Sequence, residues 1–132
     1  MQPEDIFEAQ TWLAIARRDL QTAEYLLEGG SSYTGSAAFH CQQTVEKAPK
    51  AYPAYHGQAL PRTPDLERLR SLCEALEPAF GRPTADYLLL TDYAVDVRYP
   101  GDTSPPPLPE TLQLVEIARQ ADHFVASRIP TA

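Results

Sequence analysis

The densest run of hydrogen-bonding side chains in this sequence is Phe39-His40-Cys41-Gln42-Gln43-Thr44-Val45-Glu46-Lys47. At helical spacing Phe39, Gln43, Glu46 and Lys50 share one face, which lines up three polar groups and lets Glu46 pair with Lys50 one turn on. The plain reading is a solvated face with an ordinary ion pair. The chemical reading is a polar site in which His40 serves as a general base, since an unperturbed imidazole has a pKa of about 6.5. No serine or cysteine nucleophile stands at a recognisable spacing from it, so a structural or interface role is the competing assignment.

The second place for chemistry is Arg98-Tyr99-Pro100-Gly101-Asp102. A guanidinium at a helix end beside a tight turn can grip a phosphate or carboxylate in bidentate fashion, and it can equally bond the last carbonyls of its own helix. Asp92 and Asp96, one turn apart, suit a divalent cation or an acid–base pair, or else a solvated acidic stripe. His56 and His123 are isolated. Cys41 and Cys73 lie far apart with no CxxC or Cys/His spacing, so no metal or other cofactor is expected and both thiols read as small buried apolar groups.

Helices must position these groups. Over Asp5 to Glu28, Ala9, Trp12 or Leu13, Ala16, Leu20, Ala23 and Leu27 recur with a 3.6-residue rhythm, and Gly29-Gly30 stops the run. A polar loop with a possible serine cap precedes a second stripe of Ala38, Cys41, Val45, Ala48 and Tyr52. Pro49 and Pro53 fall inside it, and each costs about 3 kcal/mol in a helix interior, so a kink or break is predicted near residue 49. A third helix fits Asp65 through Leu76, and a fourth Thr84 to about Arg98. Thr103 to Pro109 holds four prolines and cannot be helical, but Pro109 suits the first turn of a fifth helix carrying Leu112, Val115, Ala118, Ala121 and Val125. The pattern predicts an all-α, antiparallel up-and-down bundle of five helical segments, with residues 1–132 as a single domain.

With 11 basic against 18 acidic side chains, the net charge of −7 repels a phosphate backbone, so direct nucleic-acid binding is not expected. No apolar run reaches the roughly 18–20 residues of a membrane span, and MQPEDIFEAQ is acidic where a secretory signal is basic. No membrane association and a cytoplasmic location follow as expectations.

At these same residues the chain resembles the HEPN family, the higher eukaryotes and prokaryotes nucleotide-binding domain. The resemblance rests on Ala16-Arg17-Arg18-Asp19-Leu20 with Ala23-Glu24, on Ala38 through Ala48, on Pro61-Arg62-Thr63-Pro64-Asp65-Leu66 and on Ala94 through Asp102. These stretches fall in the family's order, and the likeness runs from about residue 9 to 126. It implies a helical bundle, often a homodimer, that associates with a small nucleotidyltransferase. Some members are ribonuclease toxins that carry an Arg-x4–6-His motif at the dimer cleft. Here the positions where that histidine would follow Arg98 hold Thr103, Ser104 and Pro105, so the acid/base for attack by a ribose 2′-hydroxyl is missing. Pro49 and Pro53 interrupt a stretch that in related sequences reads like EKALKAYL, and Pro64 replaces a common histidine.

The reading that follows is a non-catalytic binding protein. It would partner a small nucleotidyltransferase, in a pair that resembles toxin–antitoxin systems, with Arg98, His40, Gln43, Lys47 and Asp102 forming or bordering a site for a nucleotide or phosphate ligand. A divergent ribonuclease using Arg98 with His40 or Asp102 is the enzymatic alternative. A purely structural oligomer, whose polar cluster sets register, is the third. Seven tyrosines supply amphipathic anchors for a dimer interface.

Overall fold

A computed structural model describes residues 1–60, 66–81, 90, 93 and 105–130. The first helix, α1 (Pro3–Leu26), starts with proline in its first turn, where the missing N–H has no intrahelical partner to lose. The backbone N–H of Gln2 donates to Asp5 Oδ2 at 3.2 Å, fixing the entry. Of the apolar stripe read from sequence, Ala9, Ala16, Leu20 and Ala23 are buried, and Trp12 and Leu13 pack against the core from its edge. Past Leu26 the chain tightens into a 3-10 stretch, Leu27–Tyr33, broken at Gly30 (φ 67°, ψ −138°). Only a residue without Cβ adopts that conformation cheaply, which is how the Gly29-Gly30 pair ends α1.

The second helix, α2 (Thr34–Lys47), begins without the serine cap anticipated: Tyr33 occupies the N-cap position and no side chain caps the end. The predicted proline break is present. After α2 the chain makes turns through residues 48–50 and resumes as α3 (Ala51–Tyr55). Pro49 has no N–H, and Pro53 cannot donate to the Pro49 carbonyl one turn back. That carbonyl is satisfied instead by Tyr52 N at 3.2 Å and by Cys73 Sγ at 3.4 Å, reaching across from α4 (Leu66–Leu76).

A short 3-10 turn, Pro78–Phe80, follows α4, and α5 (Leu108–Ala126) has Pro109 in its first turn as expected. The fourth helix read from sequence over 84–98, with Asp92 and Asp96, lies outside the described residues except for Leu90 and Tyr93. No strand occurs among the described residues.

The bundle runs up and down. Residues 16 and 19 of α1 meet 44 and 40 of α2, and residues 10, 17 and 24 meet 130, 122 and 119 at the other flank, so α1 is antiparallel to both α2 and α5. Two apolar clusters fill it. One joins α1, α2 and α5 around Leu20, Cys41, Val45, Leu114 and Val115; the other joins Ala9, Ala48, Leu69, Phe80 and Val125 at the opposite end. Ala9, Ala16, Ala23, Ala37 and Ala38 are fully buried, and such small side chains bring helix axes close, which lets polar groups at the seam reach across it.

Candidate functional site

Asp19 sits on α1 at the edge of the buried stripe, between Ala16 and Leu20 on one side and open surface on the other. Across the seam α2 presents His40 and, two turns on, Lys47. Asp19 Oδ1 lies 2.9 Å from His40 Nδ1 and Oδ2 lies 2.9 Å from Lys47 Nζ, so one carboxylate holds both groups. Asp19 is 14% exposed, His40 26% and Lys47 24%; the cluster is half-buried and still reachable. Between the two partners, Thr44 is fully buried and its Oγ1 lies 3.1 Å from the carbonyls of both Ala16 and His40, which share its one proton. The bond to Ala16 pins α2 to α1 at the level of the cluster.

A carboxylate only accepts, so the proton of a neutral His40 resides on Nδ1 and the lone pair on Nε2. The Phe39 ring stands edge-on to the imidazole at 5.2 Å between centroids. Lys47 offsets the charge of Asp19. The cluster thus offers an oriented acceptor at Nε2 beside an ammonium, an arrangement able to hold a phosphate or a hydroxyl, or to take a proton.

The other residues singled out from sequence divide. Gln43 is on the same half-buried face, with its Nε2 donating to the buried Gln42 Oε1 at 2.6 Å. Glu46 and Lys50 form the anticipated pair at 3.6 Å, and Lys50 Nζ also lies 4.9 Å from the Trp12 ring centroid. Arg98 and Asp102 lie outside the described residues. His56 is packed edge-on between Tyr52 and Tyr55, with a buried Nε2 that has no partner among the described residues, and His123 is exposed on α5. Among the described residues no group of His, Cys, Asp or Glu is arranged to hold a metal ion. Cys41 and Cys73 are fully buried, and burial pushes both thiols up to about 12.

Sequence reasoning did not assign a role to Asp19 or to the pair Arg17–Asp122. Arg17 donates Nε (3.2 Å) and Nη2 (2.9 Å) to Oδ2 of Asp122, which is buried, and the second oxygen Oδ1 has no partner among the described residues. The signal for Asp19 was present as a charge placed on the flank of an otherwise apolar stripe. Asp122 carried none, since its partner is distant in sequence.

Among the described residues, grooves mark the surface. One of about 530 Å³ runs along α1 from Phe7 past Ile15 and Arg18 to the Asp19–Lys47 pair. A larger one, about 1320 Å³, lies between the Pro78–Phe80 turn and the second half of α5. Its cations are engaged: Arg119 with Glu24 and Glu116, and Arg128 with Glu77 while its guanidinium lies over Phe124. No helix among the described residues is long and apolar enough to cross a membrane.

The HEPN domain model matches residues 9–126 of the chain. No curated protein and no solved structure shows significant similarity to it.

Proposed function

The chain belongs to the HEPN domain family, and we propose that it is a non-catalytic binding module, a homodimer that partners a small nucleotidyltransferase and takes a nucleotide or other phosphate-bearing ligand. The observation that carries this reading is the Asp19–His40–Lys47 cluster, whose ammonium and oriented imidazole are half-buried at the α1–α2 seam of a chain otherwise strongly acidic. Asp19 takes one of the three N–H donors of Lys47, so the ammonium still has donors for an anionic ligand, and the acceptor nitrogen of His40 suits a hydroxyl group on the same ligand. Gln43 borders this face, and Arg98 and Asp102 complete the set on the family resemblance.

The test is recovery of the tagged chain from its own host, with bound proteins and nucleotides identified by mass spectrometry, in parallel with His40→Ala and Lys47→Ala. A nucleotidyltransferase or a nucleotide recovered with wild type and lost from both variants supports the module and its site. Recovery of neither with wild type overturns it.

The His40–Asp19 bond also favours a second reading, a divergent ribonuclease, because a carboxylate behind Nδ1 prepares Nε2 to accept a proton from a ribose 2′-hydroxyl. Cleavage of RNA by purified protein that disappears in His40→Ala, with the fold intact, would establish it. The absence of cleavage by wild type removes it.

A further inference from the structure

The exposed side of α1 carries a stripe that none of the described residues covers. Glu4, Phe7, Thr11, Ala14, Ile15 and Arg18 recur at spacings of three and four and are all exposed, on the side of the helix opposite Ala9, Ala16 and Leu20. Phe7 is 72% exposed and Ile15 41%. The Thr11 hydroxyl donates to the Phe7 carbonyl at 2.8 Å, so it asks for no partner across the face. Arg18 lies at one end of the stripe. Its neighbours in sequence and space, Arg17 and Lys47, are matched by Asp122 and Asp19, whereas Arg18 has no carboxylate partner among the described residues.

The order of these residues is self-complementary. Laid antiparallel on itself with Thr11 on the two-fold axis, the stripe sets Phe7 at the level of Ile15 and Glu4 at the level of Arg18. Thr11, Ala14, Ile15 and Arg18 are spaced as the four corners of a hole on a helix surface, and they line the groove of about 530 Å³. A knob from an opposing helix fits such a hole, and small Ala14 leaves room for a large one. The acidic first turn supplies Glu4, and the end of the stripe supplies the unmatched cation.

We infer that this face is covered by a second copy of the chain in an antiparallel α1–α1 pairing, with Phe7 of each copy seated in the Thr11–Ala14–Ile15–Arg18 hole of the other and Glu4 paired with Arg18 across the axis. An interface with this two-fold symmetry is isologous, so every contact is made twice. The inference rests on the dimer included in the proposed function and gives that dimer its interface.

Sedimentation of the full chain over a range of concentrations tests it, with Phe7→Glu, Arg18→Glu and Glu4→Arg made singly and the two charge changes combined. Because all three residues are exposed, helicity and melting temperature serve as controls for an intact monomer. Expected is a wild-type dimer whose dissociation constant rises at least about tenfold in Phe7→Glu. Each single charge reversal weakens the dimer, and Glu4→Arg with Arg18→Glu together recover it. A Thr11→Cys variant forms an intermolecular disulfide on mild oxidation, with the native thiols buried out of reach. A wild-type dimer insensitive to Phe7→Glu and not cross-linked through Thr11→Cys overturns this interface but leaves the proposed dimer standing. A wild-type monomer at all concentrations overturns both.

Discussion

Asp19 holds His40 through a 2.9 Å contact at Nδ1 while its second oxygen takes Lys47 at the same distance. The three groups come from two helices packed closely enough for Thr44 to bond the Ala16 carbonyl. The position of His40 is therefore a property of the α1–α2 seam.

Asp19→Ala removes the partner of two half-buried groups at once and should lower stability by about 2 kcal/mol, read by urea denaturation. The ring should also lose its single tautomer, read from the imidazole nitrogen shifts. A variant as stable as wild type, with an unchanged tautomer, would show that Asp19 does not position His40.

The Arg17–Asp122 pair predicts an asymmetric mutant cycle. Arg17 is 54% exposed but the Asp122 side chain only 10%, and its Oδ1 has no partner among the described residues. Arg17→Ala strands a buried carboxylate and should cost about 1–2 kcal/mol, more than the Arg17→Ala/Asp122→Ala pair, which leaves no buried charge. Equal losses would mean that the pair is solvated in solution.

The two thiols make stability fall in alkali. Each has a pKa near 9.0 when exposed and about 12 in the folded chain because burial disfavours the thiolate. The folded state therefore holds these protons more tightly. Their contribution is complete below pH 9 and is lost as pH rises from 9 toward 12, by on the order of 1 kcal/mol for each thiol at pH 10. Chemical denaturation across pH 8 to 10.5 should show this slope, and Cys41→Ala with Cys73→Ala should flatten it. A slope unchanged in that variant would assign it to other groups.

Gly30→Ala should destabilise the chain by about 1–2 kcal/mol, measured by thermal or urea unfolding. A Cβ at Gly30 meets nothing within 4 Å, so the whole effect is the backbone strain of φ 67°. A neutral substitution would show that this turn relaxes without cost.

The elements were largely legible in the chain because their causes are local. The alternation of Ala9, Ala16, Leu20 and Ala23, the glycines at 29 and 30 and the prolines at 49 and 109 each act within a turn of their own position. They place the ends of α1, the break between α2 and α3 and the start of α5 near where the structure has them. The serine cap failed because capping depends on where the preceding turn delivers the chain. Here the 3-10 stretch brings Tyr33 to that position.

Periodicity and backbone chemistry act residue by residue, so the helical class, the apolar faces and the placing of His40, Gln43 and Lys47 along one helix follow from the chain alone. Tertiary packing sets that Asp19 joins His40 to Lys47, that Asp122 answers Arg17, and that Arg18 lines one groove with Phe7 and Ile15 and has no carboxylate partner among the described residues. Those outcomes depend on which helices become neighbours and at what rotation. That choice is made by the burial of alanine-rich faces across the whole bundle, and no short stretch of sequence contains it.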